Sequence, residues 1–328
     1  MPIEMKIFYK TNNGFSSKIT VIKIGKKIRM VNYMRDRTSM GHLAALFTVL
    51  VWGTTFISTK VLLQGFWPVE ILFFRFVMGY LALLLVCPRR LKVENHHQEL
   101  VFVLAGLCGI CLYYLLENIA LTYTMASNVG VIISVAPFFT AILSHLFATS
   151  EGKLTINFFV GFVVAMAGVA LISFQGTKLE VNLTGDILAI LAAFVWACYS
   201  ILTRKISSFC MPVLLTTRRT FFYGILFMIP TLFLFDFRLE FGRFANHMYL
   251  FNILYLGLGA SALCFVTWNM AVHRLGAVKT SVYIYMVPVI TVVTSALVLK
   301  EPVTGRSILG TMLTVVGLSL SEYNGRKH

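Results

Sequence analysis

Acidic residues are scarce in this chain. Asp and Glu together number 13 in 328 residues, and all charged residues make up only 12%, against about a quarter in soluble globular proteins. That scarcity, with 58% hydrophobic residues and a mean hydropathy of +0.82, excludes an ordinary soluble domain. Cysteine is too sparse and too poorly paired for a disulfide framework: Cys87, Cys108, Cys111, Cys198, Cys210 and Cys264 fall in or at the ends of apolar segments. Cys108 and Cys111 form a CxxC, but with Gly106 and Gly109 they read first as small residues for close helix contact in lipid. No ATP-binding P-loop is present, which disfavours a self-contained pump. The clustered carboxylates that a metal and a diphosphate would need for lipid-modifying chemistry are missing too. No cofactor is expected.

What remains is mostly apolar runs. From residue 42 on, ten spans of about 20 residues suit a hydrocarbon core of about 30 Å. They run approximately 42–62, 68–88, 99–119, 127–148, 155–174, 185–204, 211–235, 249–271, 278–299 and 305–322. Helices are expected, because open strands leave backbone groups unsatisfied in lipid. Residues 1–37 differ, with nine Lys or Arg and two acids, and read as a basic cytoplasmic arm; Met34 and Met40 offer later start positions. The net charge of +15 follows from topology and not from a nucleic-acid partner, since Lys and Arg gather in cytoplasmic loops. With the N-terminus inside, Arg89, Arg90, Lys92, Arg204, Lys205 and Arg274 share its side, so both termini are expected in the cytoplasm.

The chain repeats itself. A shift of 144 places Val51-Trp52 on Val195-Trp196 and Arg75 on Arg219; a shift of 151 places Asn118 on Asn269 and Pro137 on Pro288; a shift of 149 places Gly161 on Gly310 and Gly168 on Gly317. The units are 38–182 and 183–328. Five spans per unit is odd, so the second unit enters from the opposite face. The expected fold class is an all-α integral membrane protein of ten transmembrane helices in two inverted five-helix repeats, a construction that binds substrate near the midplane.

These residues resemble the EamA-type transporters of the drug/metabolite transporter superfamily. The resemblance covers about residues 40 to 322 and rests on Val-Trp52-Gly53, the Glu117-Asn118-Ile-Ala-Leu-Thr-Tyr stretch, Pro137 and Pro288, Glu151 and Glu301, and the Gly161/Gly168 and Gly310/Gly317 pairs. Ala197 stands where the first repeat has Gly53. The resemblance implies an inner-membrane carrier that exports amino acids or other small metabolites. The alternatives are a multidrug or nucleotide-sugar-like carrier, or an intramembrane lipid-modifying enzyme. The partners expected are a small-molecule solute and the bilayer, with no nucleic acid, in a monomer or weak homodimer.

Glu117 is the one acid inside a span; Glu70, Glu99 and Asp186 sit near span starts. A carboxyl group at that depth suits proton coupling, or is hydrated or paired, for example with Lys60. Asn118 and Asn269 either cross-link helices or touch substrate. Trp52 and Trp196 lie mid-span, away from the headgroup level where Trp gathers. Thr55, Tyr114, Tyr199, Trp268 and Tyr285 complete the candidate substrate site. Thr54, Thr55, Ser58 and Ser200 can instead bond their own helix carbonyls. Arg75, Arg218 and Arg219 are expected to snorkel to headgroups, with an anion site as the sharper reading. His273 reads as interfacial. Pro137 and Pro288 interrupt corresponding spans and would serve as gating hinges.

Overall fold

The computed structural model describes residues 17–147, 156–173, 182–235, 237–300 and 303–322, with side chains from residue 38 on except at 169, 172–173, 318 and 321–322. Glu151 and Glu301, and all of the basic arm, therefore lie outside the described side chains. The chain divides into two compact units, Met1–Met40 and Gly41–His328. The first is helical from Ser17 onward; the second holds all that follows.

Among the described residues there is no strand, and seven helices are long and apolar enough to cross a membrane. These are α1 (Thr38–Leu62), α2 (Pro68–Val86), α3 (His96–Tyr123), α4 (Ala126–Phe147), α6 (Leu183–Ser207), α8 (His247–Leu275) and α9 (Ala277–Val298). Three further helices, α5 (Ile156–Ser173), α7 (Val213–Leu234) and α10 (Gly305–Glu322), lie between and after them. Large apolar side chains such as Leu85, Phe147, Phe233 and Leu297 stand outward and exposed. An apolar outer face of that extent belongs in lipid, and the chain is a multi-pass membrane protein.

Local chemistry explains where the helices begin. Pro68 opens α2, where its missing N–H costs nothing. Glu70 then accepts the Trp67 N–H at 2.8 Å, in the manner of a capping carboxylate. Asn95 and Asn182 cap α3 and α6 by accepting the Gln98 and Gly185 amides. Lys60 donates to the Leu121 and Thr124 carbonyls (2.6 and 2.9 Å), satisfying the end of α3. Lys60 is thus drawn to the end of α3, and the cation acting on Glu117 is Arg75.

Glycine decides how closely the helices approach. A Cβ at Gly106 in α3 would meet the Gly224 nitrogen of α7 at 2.7 Å, and one at Gly257 in α8 would meet the Met78 sulfur of α2 at 2.8 Å. Gly168 of α5 lies on Gly310 and Thr314 of α10, and Gly317 of α10 lies on Gly161 and Ala165 of α5. Without a hydrophobic drive between helices in lipid, such small-residue contact supplies the packing. A Cβ at Gly168 would fall 2.6 Å from the Thr314 nitrogen, a backbone atom that cannot step aside. Gly168→Val is expected to destabilise the protein by about 1–3 kcal/mol, read as a lower melting temperature in detergent.

Four helices are not regular α throughout. α3 widens to a π-helix at Leu107–Leu112 and α8 does the same at Tyr255–Leu263. α4 breaks at Ser134 and Val135, just before Pro137, and α9 tightens to a 3-10 stretch at Val282–Met286, just before Pro288. A helix that departs from α in this way often marks a functional site or hinge. Both prolines sit in the first turn of a new helical segment, where they are tolerated.

Candidate functional site

Inside the bundle the aromatic side chains of α1, α3, α6 and α8 converge. The Trp52 ring lies 5.1 Å from Trp196 and 5.0 Å from Trp268, and Trp196 lies 4.8 Å from Tyr113 and 5.0 Å from Tyr199. Phe265 sits at the hub and meets Trp52, Phe76, Tyr114, Tyr199 and Phe221. The helical period of α1 brings Trp52 to this face, where its indole N–H donates to the Ala260 carbonyl at 2.9 Å. The indole nitrogens of Trp196 and Trp268 are buried with no hydrogen-bond partner. Trp usually satisfies that group when buried.

Two opposite charges are set against this cluster. Arg75 of α2 is completely buried; its Nε donates to Ser261 Oγ at 3.1 Å, and its guanidinium lies 4.2 Å over the Tyr114 ring. Neither Nη atom has a hydrogen-bond partner. Arg75 thus does not snorkel to headgroups. It is held inward by Ser261 and by the faces of Tyr114 and Phe76. Glu117 of α3 is also buried, with Arg75 and the Tyr113 hydroxyl as its electrostatic neighbours. Its Oε1 has no hydrogen-bond partner. A buried guanidinium fork and a buried carboxyl oxygen, both unfilled, are expensive in a low-dielectric interior unless a ligand's polar groups meet them.

The remaining residues expected at the site divide. Asn269 accepts from the Tyr199 hydroxyl at 3.0 Å and donates to Thr217 Oγ1 at 2.9 Å, tying α8 to α6 and α7. It also lines a small cavity of about 20 Å³ with Thr203, Ser207, Thr216, Thr220 and His273. His273 is therefore a cavity-lining side chain and not only an interfacial one. Asn118 lies apart: its amide donates to the Pro68 carbonyl at 3.0 Å and fastens α3 to the start of α2. Thr55 bonds the Trp52 carbonyl of its own helix at 2.7 Å, and Ser200 bonds Trp196 at 3.0 Å. Their hydroxyl protons are thereby occupied. Tyr285 is buried in the 3-10 stretch of α9.

Arg218 and Arg219 stay at the far end of α7. Arg218 donates to the Cys87 and Arg89 carbonyls, and Arg219 pairs with Glu99 at 2.7 Å. Glu99 also accepts from the Tyr223 hydroxyl. At the opposite end of α2, Glu70 is fully buried and pairs with Arg243 at 2.8 Å while accepting the Arg238 amide at 2.9 Å. That pair joins the α2 start to the loop before α8. Glu70→Ala leaves Arg243 and two amides without their acceptor and is expected to cost about 3 kcal/mol, seen as a fall in melting temperature that Glu70→Gln reverses only in part.

Sequence reasoning did not single out Phe265 or Phe221 beside this centre, and offered Arg75 as an anion site only as the sharper alternative to snorkelling, and Tyr113 only as added aromatic surface. Arg75 lies seven residues into α2, about 10 Å along the axis. That depth fits either snorkelling or burial, and only the neighbouring helices decide between them.

A bundle of apolar helices around an enclosed aromatic and charged centre is the build of a membrane transporter, and comparison with known proteins agrees. The model of the EamA-like transporter family matches twice, over residues 39–174 and 183–323. The chain belongs to the EamA-like transporter family, within the drug/metabolite transporter superfamily. An uncharacterized transporter of Archaeoglobus fulgidus is 29% identical over 86% of this chain and 97% of its own. A protein of Streptantibioticus cattleyicolor named "Probable terminal-alkyne amino-acid exporter" is 24% identical over 84% of this chain and 91% of its own. A solved crystal structure superposes with a TM-score of 0.66 at 18% identity, covering 87% of this chain and 96% of that one. At that identity the likeness shows the fold alone.

Proposed function

We propose that the chain is a secondary transporter that exports amino acids or other small organic metabolites by alternating access, with Glu117 carrying the coupled proton. The observation that carries this reading is the buried Arg75–Glu117 pair with unfilled polar atoms, walled by Trp52, Trp196 and Trp268. A guanidinium fork matches a carboxylate. A carboxyl group can bind an ammonium or a proton, and the tryptophans can hold an apolar side chain.

The reading takes all ten helices as membrane spans in two inverted five-helix repeats, 38–182 and 183–328, with both termini cytoplasmic in the cell membrane. Contacts that recur with the halves exchanged support it. The recurrence is between helices: α1 meets α8 where Trp52 bonds Ala260, and their counterparts α6 and α3 meet where Tyr199 packs on Gly109. The π-helices of α3 and α8, and the breaks before Pro137 and Pro288, also fall at matched positions. Two family matches along one chain support the same division. In this mechanism the halves rock about the shared centre, and the irregular stretches absorb the bending.

The weight of aromatic surface favours a second reading, a multidrug carrier for amphipathic solutes. Reconstitution separates the two. Proteoliposomes loaded with labelled amino acids should release those with apolar side chains faster than empty liposomes when a proton gradient is imposed. Release of amphipathic cations but of no carboxylate-bearing solute would favour the second reading; no release of any solute under any gradient would remove both.

A further inference from the structure

A separate cleft opens where the C-terminal end of α2 meets the N-terminal half of α7. It has a volume of about 630 Å³, and its lining includes the basic Arg90, Arg218 and Arg219 together with the aromatic and apolar Tyr80, Leu84 and Phe222. We infer that this cleft binds the headgroup and upper acyl chain of an anionic phospholipid.

Three observations carry the inference. The first is charge. Of the three guanidinium groups only Arg219 has an acid partner among the described residues, namely Glu99. Arg218 is more than nine-tenths buried and bonds only backbone carbonyls, which leave its charge uncompensated, and Arg90 is exposed. The cleft therefore carries about two unmatched positive charges, and Arg89 and Lys92 flank it in sequence. A basic pocket between membrane helices near the headgroup level is suited to an acidic lipid.

The second is the wall. Tyr80 and Phe222 lie with ring centroids 6.4 Å apart, and Arg219 lies 5.9 Å over the Phe222 ring. An aromatic and apolar side next to fixed cations matches an amphiphile better than a fully hydrated ion. The third is continuity. Leu81, Leu85, Val86 and Leu226 are exposed on the same two helices, so the apolar side runs directly into the lipid-facing surface. A diffusible solute would not need that open flank; an acyl chain would. The cleft is built from α2, α7 and the loop after α2 and shares no lining residue with the Arg75–Glu117 centre.

The full chain in a neutral detergent can be titrated with dioleoyl phosphatidylglycerol, with dioleoyl phosphatidylcholine, and with inorganic phosphate, reading the melting temperature and the lipid retained in native mass spectra. Phosphatidylglycerol should raise the melting temperature and stay bound, while phosphatidylcholine, which has the same chains, and phosphate should do neither. Arg90→Glu, a change at an exposed side chain, should weaken the half-saturating concentration roughly tenfold. Leu84→Trp should fill the cleft and reduce retention without altering charge, and Arg238→Glu, at the other end of α2, should match wild type. Equal effects of both lipids would overturn the inference. So would full stabilisation by phosphate alone, or unchanged phosphatidylglycerol retention in both Arg90→Glu and Leu84→Trp.

Discussion

Glu117→Gln is expected to abolish proton-driven transport while the protein remains folded in the membrane. The substitution keeps the shape of the side chain and removes only the group that can load and release a proton. Glu117 is buried against Arg75 and Tyr113 and has one unfilled carboxyl oxygen. The amide can still donate and accept hydrogen bonds, so the packing of α3 against α2 and α6 should survive. What is lost is the change of charge between the two loading states. A pH step across proteoliposomes should then move no more solute than a pH-matched control, while exchange of labelled for unlabelled solute continues. If the variant keeps the wild-type response to the pH step, Glu117 has no part in coupling. If it also fails to melt cooperatively, Glu117→Asp, which retains the carboxyl group, decides the matter by restoring the response.

The second large effect is expected at Arg75. Replacing it by Gln removes the cation that faces Glu117 among the described residues, and with it the two Nη atoms without partners. Removing the guanidinium from a buried ion pair with a solute carboxylate costs about 3 kcal/mol, or roughly two orders of magnitude in affinity. The loss should fall on solutes that carry a carboxylate; the matching amide or amine should be affected far less. Arg75→Lys keeps the charge but not the planar fork, and should lose roughly tenfold. Binding of an amino acid and of its amide to the purified variants, followed by tryptophan fluorescence from Trp52, Trp196 and Trp268, reads both effects. Equal losses for the acid and the amide would show that Arg75 supports the fold and does not recognise a carboxylate.

Some of this centre was legible in the chain because the bilayer imposes a simple rule. An ionisable residue in an apolar run must be compensated, so Glu117 stood out without any coordinates. Trp52 and Trp196 stood out because mid-span is not where tryptophan usually gathers. The same reasoning erred on Arg75, because a long side chain near a span end has two solutions of similar cost. For Asn118 and Thr55 it left packing and substrate contact both open; the Asn118 amide nitrogen donates to the Pro68 carbonyl while its Oδ1 is buried without a partner, and Thr55 donates to the Trp52 carbonyl. Polar residues one helical turn apart look alike in a sequence, yet they point to different neighbours.

By itself the sequence determined that the protein lies in a membrane, roughly where its apolar helices lie, and that it carries an internal repeat. Those properties follow from local composition, helix length and spacing, which act within one segment at a time. Only the tertiary structure decided which side chains meet. Whether Arg75 turns inward, whether Lys60 reaches Glu117 or the end of α3, and which tryptophans share a wall all depend on how α1, α2, α3, α6 and α8 rotate against one another. That rotation is set by close contacts at Gly106, Gly109 and Gly257 and by interhelical bonds such as Trp52 to Ala260. Both are interactions between segments ninety or more residues apart, and hydropathy carries no record of them.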